Sequence, residues 1–213
     1  QGPAAVLTAL GVDAQSSLEA LASTPRYVRV TRKGRGKVTL ASLQAELTDA
    51  VCRGGGRRGS EGCGTTVTNT PFDDFFALPS QAPVGALPSF AQRQIVGLDL
   101  ASGLAVRVLL QDLAPAPAPC AVLDLCCAPG GKLQYIAECL AEGSPHPGTR
   151  TVTGVDVSAE RLGHCAARVR QSGLCNVRLI RGDGTCFNAP APDTNEFSRG
   201  SVHVSCLRKK VAV

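Results

Sequence analysis

"VLDLCCAPGGKLQYIAE", residues 122–138, is the stretch on which the fold turns. An apolar run reaches an acid at Asp124, passes two adjacent cysteines and breaks at Ala128-Pro129-Gly130-Gly131. Leu133, Ile136, Ala137, Leu140 and Ala141 then recur at the spacing of one helix face. Strand, glycine-bearing turn and helix follow in that order, and the order repeats downstream. The spacing predicts strands over 121–126, 151–157 and 176–181, with helices over 132–142 and 158–172 between them. Strands alternating with helices through short loops make an α/β fold with a parallel, doubly wound sheet.

Such sheets bind ligands beyond the carboxyl ends of their strands. Three acids are expected there: Asp124 before the glycine loop, Asp156 closing "VTGVD" and Asp183 closing "VRLIRGD". Gly130-Gly131 lets a ligand approach the backbone, and the following helix aims amide donors at it. An acid ending the second strand is suited to the two hydroxyls of a ribose, which makes Asp156 the most informative of the three. A Walker loop is excluded, because Cys126 stands where its first glycine belongs and Leu133 follows Lys132. The dinucleotide fingerprint is missing too, since Gly130 and Gly131 are adjacent. S-adenosylmethionine remains among the common nucleoside cofactors. The bland alternative is a strand-to-helix turn with accidental acids.

Composition sets the outer bounds. An apolar fraction of 44% over 213 residues is enough for a core. No apolar run approaches the roughly 20 residues of a membrane span, and no secretory layout opens the chain, so an intracellular protein is expected, in nucleus or nucleolus, cytoplasm or mitochondrion. The ten cysteines include no Cys-x-x-Cys pair and read as reduced thiols, without a metal site. There is no methionine, so the sequence is expected to begin inside a longer gene product.

The formal charge of +5 is unevenly placed. Arg26, Arg29, Arg32, Lys33, Arg35 and Lys37 lie within twelve residues without an acid, which suits a phosphate backbone. A solvated strand edge is the alternative. A short helix is expected over 16–23, a strand over 27–30 with its arginines on one face, and a helix over 42–51. The glycine- and arginine-rich 53–66 reads as a flexible loop. Phe72, Phe75, Phe76 and Leu78 read as core, 95–110 as a turn and a helix buried on most sides, and the Ala-Pro run at 115–119 as a stiff connector.

"DLCCAPGGK" resembles the cofactor loop of the RsmB-like, Sun-domain RNA cytosine-5 methyltransferases, which typically reads Asp-Leu-Cys-Ala-Ala-Pro-Gly-Gly-Lys. "GVDVSAERLGHCAARVRQSGLCNVRLIRGDGTCF" is similar to that family's second and third cofactor segments, "PRYVRV" to the start of its RNA-binding region, and "VGLDLASGLAV" to the segment ahead of the cofactor domain. The resemblance covers about residues 24–187. It implies that Cys126, Cys127, Ala128, Pro129, Gly130, Gly131 and Lys132 surround the methionine part of S-adenosylmethionine. Asp156 would hold the ribose with Arg161 nearby, and Asp183 would lie beside the adenine. It also implies an RNA substrate, ribosomal or transfer RNA.

In that family's chemistry a cysteine thiolate adds to carbon 6 of cytosine, making carbon 5 nucleophilic enough to take a methyl group. The cysteines expected for it lie in Asp-x-Pro-Cys-like and Thr-Cys turns after the fourth and fifth strands, and neither turn occurs in these 213 residues. Thr185-Cys186 follows the third strand directly, and Cys206 in "SVHVSC" has no Asp or Pro before it, so no catalytic residue is assigned. Cys126, Cys127, Cys139 and Cys165 read as core residues, and His164 and His203 as surface residues.

The expected architecture is an incomplete Rossmann-like S-adenosylmethionine methyltransferase sheet with a small N-terminal α+β RNA-binding region. Its parts are 1–66 for the RNA-binding region and its loop, 67–119 for a connecting segment and helix, and 120–213 for the first half of the catalytic domain. A protein partner covering the incomplete sheet is expected. The competing reading is a non-catalytic RNA-binding or assembly protein that keeps the fold as a scaffold.

Overall fold

The computed structural model describes residues 13–53, 65–111, 119–142, 149–186 and 203–206. Two compact units divide the chain, Gln1–Asp99 and Leu100–Val213.

In the first unit, helix α1 (Ala14–Ser23) leads into β1 (Arg26–Val30), and α2 (Leu40–Arg53) follows. Strands β2 (Thr68–Asn69), β3 (Phe75–Leu78) and β4 (Ile95–Gly97) complete an antiparallel sheet in the order β2-β3-β1-β4, with the short helix α3 (Pro88–Ala91) before β4. Helix α2 starts where Thr39 and Ser42 cap each other: Ser42 N donates to Thr39 Oγ1 at 3.1 Å and Thr39 N to Ser42 Oγ at 2.8 Å. Its apolar residues Leu43, Leu47 and Ala50 recur at helical spacing and bury against Val28, Val30, Phe76, Leu78 and Ile95. Phe75, Phe76 and Leu78 are core as expected, while Phe72 is half-buried and meets Phe75 edge-to-face at 5.7 Å.

The arginines of β1 do not share a face. Arg26 and Arg29 are three residues apart, and an odd spacing in a strand sends side chains to opposite sides. Arg26 is exposed, whereas Arg29 is fully buried on the central strand between Phe75 of β3 and Val96 of β4, donating from Nη1 to the Val30 carbonyl at 3.1 Å.

The second unit begins with helix α4 (Leu100–Gln111), followed by β5 (Cys120–Asp124), α5 (Gly131–Glu142), β6 (Arg150–Asp156), α6 (Ala159–Ser172), β7 (Val177–Arg181) and β8 (His203–Cys206). The four strands pair in parallel in the order β5-β6-β7-β8, so the α/β architecture read from the sequence is present. Strand β6 is buried almost throughout, as an interior strand of a parallel sheet must be. Helix α6 is capped at both ends: Ser158 Oγ accepts from Arg161 N at 3.3 Å, and Gly173 closes it in the left-handed region at φ 68°. Buried Asn176 ties the layers, donating to the carbonyls of Ala137 and Arg150 at 3.0 and 3.3 Å.

Two expectations need correcting. The units meet at Asp99/Leu100 rather than at 66/67 and 119/120, because β2, β3 and β4 all join the sheet of β1. Helix α4 is not buried on most sides: Gly103, Val106 and Leu110 face inward, while Leu104, Val108 and Leu109 are exposed. The expected loop over 53–66 and the connector at 115–119 lie largely outside the described residues.

Candidate functional site

The ends of β5, β6 and β7 converge on the loop between β5 and α5. Asp156 closes β6 with 3% of its surface exposed, and its carboxylate holds two neighbouring turns. Oδ1 accepts from Ser158 N at 3.0 Å, and Oδ2 accepts from Ala128 N of the loop at 3.2 Å. Arg161, on the first turn of α6 and half exposed, lies across both elements. Its Nη2 donates to the Ala128 carbonyl at 2.7 Å, and its Nη1 stands 3.7 Å from Asp156 Oδ2. Ala128 is thus bound at both its amide and its carbonyl.

Further bonds fix the loop. Cys127 N donates to the Val155 carbonyl at 3.0 Å, and Gly130 N to the Cys127 carbonyl at 2.8 Å. Gly130 has φ 98°, a conformation that favours glycine, and a Cβ there would crowd Cys165 Sγ at 3.3 Å. Below the loop, Gly154 of β6 makes room for Cys127 and Leu133: a Cβ at Gly154 would lie 2.9 Å from Cys127 Sγ and from Leu133 Cδ1. Gly154→Ala should therefore destabilise the second unit by about 1–3 kcal/mol, as overpacking of a filled core does. Urea unfolding curves check this, and a midpoint equal to the parent's would contradict it.

The turn after β7 closes the other side. Asp183 is exposed, and its Oδ1 accepts from Thr185 N at 2.9 Å and Thr185 Oγ1 at 2.7 Å. Gly184 presses on the β5 loop so closely that a Cβ would stand 2.6 Å from the Leu125 carbonyl oxygen. Gly182 N donates to the Asp156 carbonyl at 3.1 Å. The turn that carries Asp183 thereby packs against Leu125, the residue after β5, and against the end of β6.

Asp124 was read from the sequence only as the acid before the loop, and its surroundings give it more. Oδ1 accepts from Cys126 N at 3.2 Å, while Oδ2 is buried with no hydrogen-bond partner. Burial pushes its carboxyl above the ordinary range and nearby Asp156 adds to this, against the Cys126 amide and the charge of Lys132. A buried carboxylate oxygen lacking a donor is a place for a cationic or hydrogen-bonding ligand group. No sequence pattern marks it, because the missing partner shows only in three dimensions.

Of the remaining expected residues, Cys126 and Pro129 are exposed on the loop and Lys132 on the first turn of α5, while Cys127 and Ala128 are buried. Cys126 is therefore not a core residue; Cys127 and Cys165 are. His164 is exposed as expected, and the side chain of His203 lies outside the described residues. Thr185-Cys186 forms the short turn after β7, with its threonine engaged by Asp183. Among the described residues no cluster of three metal-ligating side chains occurs, and no helix is long and apolar enough to cross a membrane.

Residues 110–209 match the family model described as 16S rRNA methyltransferase RsmB/F. The chain is 32% identical over 160 residues to Ribosomal RNA small subunit methyltransferase B of Citrobacter koseri, covering 75% of this chain and 31% of that protein. It is 30% identical over 108 residues to the human 28S rRNA (cytosine(4447)-C(5))-methyltransferase, covering 51% of this chain and 12% of that protein. The chain thus spans less than a third of the length of either relative. Among solved structures, NSun6 from Pyrococcus horikoshii, crystallised with SFG, aligns over 78% of this chain and 60% of its own with a TM-score of 0.53 at 14% identity. PH0851 aligns over 85% of this chain and 35% of its own with a TM-score of 0.54 at 20% identity. Those likenesses establish the fold, and the family match over residues 110–209 together with the curated relatives makes the second unit similar to the RsmB/F rRNA methyltransferases.

Proposed function

We propose that this chain is the cofactor-holding part of an S-adenosylmethionine-dependent RNA (cytosine-5) methyltransferase acting on ribosomal or transfer RNA. The observation that carries the reading is the buried, partnerless Oδ2 of Asp124 at the mouth of a glycine loop. The residues present fit the cofactor. Asp124 takes the α-ammonium of its methionine part, and the loop from Cys126 to Lys132 surrounds that part. Asp156 offers the ribose hydroxyls the lone pairs that Ala128 and Ser158 leave over. Arg161 holds the loop, and Asp183 lies beside the adenine. When bound, S-adenosylmethionine supplies an electrophilic methyl group on its sulfonium.

RNA is the substrate named for the relatives, and the basic segment of the first unit supports it here. Arg26, Arg32, Lys33, Arg35 and Lys37 are exposed, whereas buried Arg29 is removed from the proposed contact set. If the five lie along phosphates, RNA affinity should fall with salt by a slope of about 0.7 per contact on single strands. Changing Arg26, Arg32 and Arg35 to glutamine should flatten that slope, and a slope unchanged in filter-binding titrations would contradict the interface. Arg29→Ala should instead lower stability.

The relatives are methyltransferases by name, which does not favour a non-catalytic scaffold. Exposed Leu104, Val108, Leu109, Leu123 and Leu125 in the second unit support a protein partner there. The 213 residues alone are expected to bind cofactor and to transfer no methyl group, because no thiol in an Asp-x-Pro-Cys or Thr-Cys turn after a fourth strand is present to add to carbon 6. Transfer by this chain, lost on Cys186→Ala or Cys206→Ala, would contradict that. The function is tested in cells by mapping 5-methylcytosine with and without the gene product. Loss of a ribosomal or transfer RNA site, restored on re-expression, is expected, and an unchanged map would overturn the reading.

A further inference from the structure

Arg93 stands 62 residues beyond Thr31 in the chain, and the fold sets the two side by side. Strands β1 and β4 run antiparallel with Val30 opposite Ile95, so the end of β1 meets the turn that enters β4. Buried Thr31 donates there from Oγ1 to the Arg93 carbonyl at 2.7 Å and from N to the Gln94 carbonyl at 2.8 Å. Arg93 N donates to the Phe90 carbonyl at 3.0 Å, so the arginine leaves from a backbone held at both its amide and its carbonyl. The chain after Thr31 folds into a tight turn. The Thr31 carbonyl accepts from Gly34 N and Arg35 N at 2.9 and 3.2 Å, and the Gly34 carbonyl from Lys37 N and Val38 N, both at 2.9 Å. This turn packs so closely on the β4 side that a Cβ at Gly34 would run into the Gln94 carbonyl. It exposes Arg32, Lys33, Arg35 and Lys37, and Arg93 is exposed beside it.

Arg93 has φ 60°, in the left-handed region that glycine enters freely and a residue with a Cβ enters at a cost. Its side chain is exposed, so burial does not account for an arginine there, and strain of this kind marks positions where a side chain has a task. The charges on the two flanks of the turn differ. On the β3 flank Val30 N donates to the Asp74 carbonyl at 2.7 Å, and Asp73 next to it is exposed. On the β4 flank residues 89–98 contain no acid. Glu46 meets that segment at Ser89, accepting from its N at 3.0 Å and its Oγ at 2.7 Å. A polyanion is repelled by the first flank and drawn to the second. We propose that Arg93 is a phosphate-binding residue of the RNA surface, and that the RNA backbone leaves the turn over the β4 flank rather than the β3 flank. The inference rests on the reading of the basic segment as an RNA surface and adds to it a residue and a direction. Arg26, at the other end of β1, stands about 13 Å from Val30 at 3.3 Å per residue, whereas Arg93 adjoins the turn. Its planar guanidinium can bond two phosphate oxygens at once.

The test titrates the full chain with a single-stranded RNA oligonucleotide at several salt concentrations. Arg93→Gln should lower the salt slope by about 0.7, the loss of one phosphate contact, and Arg93→Lys should keep the parent's slope. Arg93→Gly separates binding from folding. It relieves the backbone, so it should melt at or above the parent's temperature while its slope falls as in Arg93→Gln. Arg53→Gln, which removes a cation ion-paired to Asp49 on α2, should leave the slope unchanged. For the direction, Gln92→Lys on the β4 flank should steepen the slope more than Asp73→Lys on the β3 flank, and the reverse order would overturn the route. A slope that Arg32→Gln and Arg35→Gln flatten but Arg93→Gln and Arg93→Gly do not would overturn the role of Arg93 and leave the RNA surface standing. A parent chain that binds no RNA would overturn both.

Discussion

Asp156→Ala should weaken binding of S-adenosylhomocysteine by roughly tenfold to a hundredfold, the equivalent of one charge-assisted hydrogen bond, and should also loosen the loop. The buried carboxylate accepts from the amides of Ala128 and Ser158 and faces the Arg161 guanidinium. Removing it leaves buried donors without acceptors, each costing about 1–3 kcal/mol. The parent's affinity therefore depends on Asp156 both as a ligand group and as the post that fixes Ala128. Asp156→Asn distinguishes the roles, since its amide oxygen can still accept from one backbone N–H but cannot neutralise Arg161. An affinity between those of the parent and the alanine variant is expected by calorimetry. Equal affinity in Asp156→Ala and the parent would show that the ligand lies elsewhere.

Asp124→Asn should move stability and binding in opposite directions. In the ligand-free protein, burial holds the Asp124 carboxyl above its ordinary value, so the folded chain binds this proton more tightly than the unfolded chain. Its contribution to stability therefore grows as pH falls through the raised folded value and levels off below the unfolded value, and it is lost as pH rises. Asn removes the buried charge, so the variant should be at least as stable as the parent at neutral pH and should lack that acid-side gain. For the ligand the sign reverses. A cationic group beside Oδ2 requires the carboxylate, so the parent's affinity should fall as pH drops through the raised value. The variant should bind roughly tenfold to a hundredfold more weakly at neutral pH, by the loss of one charge-assisted bond, with a flatter pH profile. Thermal melts and calorimetry across the acid range check both halves, and parent-like affinity in Asp124→Asn would remove Asp124 from the site.

The second unit was legible because its signals are local. Alternating apolar runs and helical stripes placed β5, α5, β6, α6 and β7 to within a residue or two, and Ser158 and Gly173 mark the ends of α6. The glycine loop was legible for the same reason. What the sequence hid depends on distant partners. The burial of Arg29 follows from β1 lying between β3 and β4, which no local pattern states. Residues 67–119 were read as a connecting segment and helix because β2 and β4 are too short to show a period, yet β2, β3 and β4 complete the first sheet. The missing partner of Asp124 Oδ2, and the meeting of Cys127 with Cys165 from 38 residues along the chain, can be seen only in the folded protein.

The central claim is that the loop from Cys126 to Lys132, between Asp124 and Asp156, holds S-adenosylmethionine. Titration calorimetry of the reduced 213-residue chain with S-adenosylhomocysteine tests it most directly. Saturable binding with one ligand per chain, and no comparable heat from ATP or NAD, is the expected result. No binding of S-adenosylhomocysteine, or equal binding of all three, would contradict the account.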